Sequence, residues 1–118
     1  MEILEDLLPY QGRLESRDTI QLDLIVLHCT ELPTLQMARD FAEKIAYEES
    51  GTGTCGHYYV ERDGRINRWV RDDRIAHHVA GHNQTSIGIE LVNTGRYPNW
   101  FSSDHQIFRQ SYPAAQIT

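Results

Sequence analysis

At 118 residues the chain is the size of one domain, with enough length to bury roughly 65% of its unfolded surface around a modest core. Eleven Lys and Arg stand against seventeen Asp and Glu, a net charge of −6, and no basic cluster occurs, which argues against a nucleic-acid partner. No segment approaches the ~20 apolar residues of a membrane span, and Cys29 and Cys55 are too few for a disulfide framework and form no CxxC pair.

Residues 1–20 alternate short apolar and charged groups and are expected to form an irregular N-terminal arm. The start, Met1-Glu2-Ile3-Leu4-Glu5-Asp6, lacks the cationic and apolar regions of a signal peptide. With Met1 as the natural start, a cytoplasmic location is expected. Residues 22–28 form a near-continuous apolar run, which predicts a central strand buried on both faces and closed by His28. Pro33 then precedes Leu35, Ala38, Phe41, Ala42 and Ile45, spaced by threes and fours as on one helix face. That helix is expected to end near Ser50, before Gly51-Thr52-Gly53. Residues 57–62 and 65–70 flank Asp63-Gly64, a pair that predicts a hairpin with a type I′ turn. Residues 86–92 predict another strand, and 93–112 a long loop. Ser111-Tyr112-Pro113 resembles a helix start, so close to Thr118 that the helix is expected to be truncated.

The chemistry concentrates between His77 and Leu91. Three histidines (His77, His78, His82) and two amides (Asn83, Gln84) precede the strand Ser86-Ile87-Gly88-Ile89-Glu90-Leu91. Period-two alternation puts Gly88 and Glu90 on one face and Ile87 and Ile89 on the other. Glycine beside a carboxylate leaves space above the sheet for a ligand, and partial burial would raise Glu90 into the range of a general base. His77 and His78 point apart in an extended chain, and Ala80-Gly81 disfavours the helix that would align His78 with His82. A polar, substrate-contacting loop is therefore expected rather than a metal cluster, with Asn83 and Ser86 bracing it or binding ligand. His28 is a candidate metal ligand, as neutral imidazoles commonly are. Cys29 has no local base to activate it and is expected to face the core. Tyr58, Tyr59, Trp69 and Tyr97 are expected to pack the core and the hairpin.

Four fragments, in order, resemble the type 2 N-acetylmuramoyl-L-alanine amidases: Leu27-His28-Cys29-Thr30, His57-Tyr58-Tyr59-Val60-Glu61-Arg62-Asp63-Gly64, Asp73-Arg74-Ile75-Ala76-His77-His78, and Asn83 to Leu91. That family includes AmpD-like recycling enzymes, phage amidase lysozymes and peptidoglycan recognition proteins. The match covers residues 22–97 of a single domain spanning 1–118, leaving 98–118 as loop and helix start. The resemblance implies an α/β fold: a central mixed β-sheet with flanking helices, and a zinc ion in a groove. It implies hydrolysis of the amide between the muramic acid lactyl group and L-alanine, with peptidoglycan fragments or anhydro-muropeptides as partners. His28 matches the family's first zinc ligand, and Glu90 the proton-transferring glutamate of the AmpD-like branch. His57, His77, His78, His82 and Asn83 would contact substrate. The phage branch places a tyrosine where this chain has Gly56, which again favours Glu90. The family's other two zinc ligands and its oxyanion lysine have no counterpart here. The chain as given is therefore expected to be metal-poor and inactive, or to serve as a muropeptide-binding module.

Overall fold

The computed structural model describes residues 2–95 and Gln116. Among them five strands form one mixed sheet: β1 (Ile3–Glu5), β2 (Leu24–Cys29), β3 (Tyr58–Val60), β4 (Ile66–Arg68) and β5 (Ser86–Leu91), in the spatial order β1-β4-β3-β5-β2. Strands β3 and β4 pair antiparallel, and the other three pairings are parallel. One α-helix, α1 (Leu35–Glu43), and three short 3-10 turns complete the described elements. The α/β class and the mixed sheet agree with the expectation from sequence.

Helix α1 starts where the Thr34 side chain accepts a hydrogen bond from the Met37 N–H, satisfying one orphan donor of the first turn. Ala38 and Ala42, one turn apart, are its buried residues. Against them lie Leu8, Tyr10 and Leu14 from the N-terminal segment, and Tyr59 stacked on Trp69 at 3.6 Å between centroids. The Tyr10 hydroxyl donates to the Ala42 carbonyl at 2.5 Å. The helix stops at Glu43, well short of Ser50. Lys44 is extended, and the chain doubles back so that Tyr47 bridges Thr52. Gly53 packs so tightly under this turn that a Cβ would collide with the Lys44 carbonyl. Tertiary packing, rather than the downstream glycines, sets the helix end.

Three further expectations are corrected. The N-terminal arm is not irregular throughout: β1 adds to the sheet in parallel with β4, and Arg17 is buried. The apolar run after Leu22 is not a central strand. Among the described residues β2 pairs only with β5, at the sheet edge, and Ile25 and Leu27 are each 65% exposed. Hydrophobicity along a strand reports what it can bury, not how many neighbours flank it. The hairpin turn is not type I′, because Asp63 does not have positive φ. The Gly64 N–H donates to Glu61 C=O and Gly64 alone adopts φ +91, giving a three-residue loop Arg62-Asp63-Gly64. That is the type I turn with a glycine bulge, the next commonest hairpin solution. The expected helix start at 111–116 lies outside the described residues, apart from a helical Gln116 whose amide donates to Val60 and Val92 carbonyls.

Candidate active site

The parallel register of β2 and β5 sets His28 opposite Glu90. Residues paired across a ladder project to the same face, so imidazole and carboxylate share one side of the sheet. Tyr59 of β3 pairs with Glu90 from the other flank. Beneath Glu90 lies a hollow of about 80 Å³ lined by Tyr59, Cys55, Cys29, Leu32 and Phe41. It has room for a few waters and none for a sugar. Glu90 is half-buried, and burial pushes its carboxyl up to about 7, with the charge of Glu31 adding to the shift. A group titrating there both takes and returns a proton near neutral pH. Gly56 makes this seat: a Cβ at 56 would stand 3.1 Å from Glu90 Cγ.

Gly88 lies two residues before Glu90 on the same face, but the space above it is not free. A Cβ there would come within 2.7 Å of the His78 ring. Here the expectation of a ligand-sized opening is corrected: glycine admits His78 instead. The His78 Nδ1 lies 3.0 Å from His28 Nε2, and its Nε2 lies 3.0 Å from Ser86 Oγ. Burial first, then the neighbouring His28 and His57, hold His78 at about 4, and burial also lowers His28. Both are neutral imidazoles at pH 7.

The remaining candidates take separate places. His57 is fully buried, with 0% of its surface exposed. The Gly88 N–H donates to its Nδ1, so Nδ1 carries no proton and the Nε2–H donates to Arg74 C=O at 2.8 Å. Arg17, 3.1 Å from Nε2, is then a packing contact between two donors. Burial pushes His57 down to about 4. It is sealed inside the core and has no surface to offer a substrate. His77 packs on Tyr47 at 4.6 Å, and His82 is exposed before the turn Asn83–Thr85. Asn83 is a brace: its Oδ1 accepts from the backbone N–H of both His78 and Val79. Cys29 does not join the core; it is half-buried, and its thiol donates to Asn93 C=O. Tyr97 lies outside the described residues.

Arg17 was not legible as part of the site. From the N-terminal segment its guanidinium donates to the carbonyls of Asp72, Asn83 and Gln84, tying down the loop that carries His78. One arginine in a mixed-charge stretch carries no sequence signal of such a role.

Residues 18–118 match the family model described as N-acetylmuramoyl-L-alanine amidase. The chain belongs to that family. The amidase fold is also seen in similar solved structures. The Ph2119 endolysin from Thermus scotoductus MAT2119 bacteriophage Ph2119 shares 28% identity at a TM-score of 0.63, over 86% of this chain and 68% of that one. N-acetylmuramoyl-L-alanine amidase LysC from Clostridium intestinale URNW shares 23% identity at a TM-score of 0.60, over 79% of this chain and 60% of that one. The endolysin amidase LysCS from the same organism shares 18% at a TM-score of 0.61, over 98% and 66%. The chain thus spans about two thirds or less of the length of these amidases. No curated protein matches the sequence.

Proposed function

We propose that this domain is a zinc-dependent N-acetylmuramoyl-L-alanine amidase, with His28 as a metal ligand and Glu90 as the proton carrier. The observation that carries the reading is the His28–Glu90 register pair, which puts a neutral imidazole and a carboxyl raised to about 7 on one face. When bound, zinc would polarise the scissile carbonyl and acidify a water. Glu90 would accept that water's proton and return it to the leaving L-alanyl nitrogen. The Gly56 seat and the small hollow beneath Glu90 hold its carboxyl away from bulk solvent. The residues present fit one part of such a metal site. His28 supplies one imidazole, with His78 hydrogen-bonded to it, while no set of three His, Cys, Asp or Glu side chains converges among the described residues. Weak zinc retention is therefore expected.

The same shortage of ligands favours one second reading, a module that grips muropeptide without cleaving it. The test is release of free peptide from an N-acetylmuramoyl-L-alanyl peptide by the zinc-supplemented chain. Cleavage that falls ~10²–10⁴-fold in Glu90→Gln, with peptide binding kept, supports the proton-carrier role. Cleavage undiminished in that variant removes the role. Binding without cleavage by the unaltered chain makes the domain a recognition module.

A further inference from the structure

We propose that His78, backed by Ser86, is a positioning residue that fixes His28 as its Nε2–H tautomer and leaves Nδ1 as the nitrogen open to a metal ion. The inference rests on the reading of His28 as a ligand and adds what prepares it.

His28 Nε2 and His78 Nδ1 lie 3.0 Å apart, so one proton is shared between two neutral rings. The rings meet edge-on at 86°, with centroids 5.2 Å apart, the arrangement in which an in-plane N–H points at an in-plane lone pair. His78 is held in place from four directions. Gly88, where a Cβ would come within 2.7 Å of the ring, lets it lie close against the strand. His57 stands 5.9 Å away behind it. Asn83 clamps its backbone N–H, and the fully buried Ser86 hydroxyl sits 3.0 Å from its Nε2. His28 projects from β2, the edge strand among the described residues, and its one side-chain hydrogen bond among them is the one to His78. The fixed ring thus orients the freer one.

The proton can sit on either side of the contact, and only one choice suits a ligand. With the proton on His78 Nδ1, His28 would carry its own on Nδ1 and offer no lone pair outward. With the proton on His28 Nε2, His78 Nδ1 accepts, His78 Nε2–H donates to Ser86 Oγ, and His28 Nδ1 is free. Metal-bound histidines are commonly prepared in this way, by a fixed acceptor for the second ring N–H. The acceptor here is another imidazole, itself anchored by a buried serine.

The test has two readouts on the full chain. In the metal-free protein, ¹⁵N chemical shifts and two-bond couplings should show His28 protonated at Nε2 and His78 protonated at Nε2. His28 protonated at Nδ1 would overturn the inference. In the second readout, affinity for Co²⁺ is measured by its visible spectrum and by chelator competition. His78→Leu should weaken it ~10–100-fold while the fold, checked by amide spectra, persists. His78→Asn, whose carbonyl can take the His28 N–H, should recover most of the loss. Ser86→Ala should cost less than His78→Leu. Unchanged Co²⁺ affinity in a folded His78→Leu protein would overturn the positioning role. Failure of the unaltered chain to take up Co²⁺ would instead overturn the ligand role of His28, with the tautomer still read from the first experiment.

Discussion

His57 and His78 stand 5.9 Å apart, and burial holds both near a pKa of about 4, yet they do different things. His57 spends both nitrogens on backbone groups, the Gly88 N–H and the Arg74 carbonyl, inside a sealed core. His78 spends both on side chains, His28 and Ser86, at a half-buried position. A depressed pKa therefore does not separate a structural rivet from a site residue. Its partners do.

Replacing each ring should separate the two roles. His57→Leu leaves a buried N–H and a buried C=O without partners and should cost about 3–4 kcal/mol in chemical denaturation. His78→Leu, at a half-open position, should cost about 1 kcal/mol. Equal losses would break the distinction.

The pH dependence of stability sharpens it further. A histidine depressed from 6.5 to about 4 stabilises the fold above pH 6.5, and that contribution is lost as pH falls through 4. For His57 the loss is about 3 kcal/mol; His78, more exposed to solvent, contributes less. Glu90 acts with the opposite sign: its raised pKa favours the fold below 4.5, and that help disappears as pH rises through about 7. Denaturation measured from pH 7 to 4 in Glu90→Gln removes this opposing slope. The histidine slope should then stand out and lose most of its size when His57 is also replaced, leaving the smaller part due to His78. An undiminished slope would assign the titration elsewhere.

The most local effect concerns the seat of the His78 ring. Gly88→Ala sets a methyl 2.7 Å from the His78 ring. The ring must swing out, at about 1–3 kcal/mol. The His28 nitrogen shifts should change, and those of His57 should change little. Undisturbed His28 shifts would mean that Gly88 does not set the contact.

Much of this was legible in the sequence because it follows from spacing. The alternation in Ser86–Leu91 fixed the face of Glu90, and the apolar run before His28 fixed a strand. The mixed sheet followed from the family resemblance. What was hidden depends on long-range packing. Nothing local says that β2 is an edge, that α1 stops at Glu43 under the turn at Gly53, or that Arg17 reaches the carbonyls of Asn83 and Gln84. The role of Gly88 was only half legible. Its lack of a side chain signalled close approach, but the approaching group proved to be His78. The hairpin turned on a similar detail: Asp63-Gly64 marks a reversal, while the residues around it chose the longer loop.

The pairing of β2 with β5 has a kinetic consequence. His28 and Glu90 are joined only when a loop of about sixty residues closes, and parallel pairings of such span form slowly. Neither half of the centre can preassemble on a local hairpin. The His28–Glu90 pairing should therefore form in the last refolding phase, and amide protons along β5 should exchange only through opening of most of the domain.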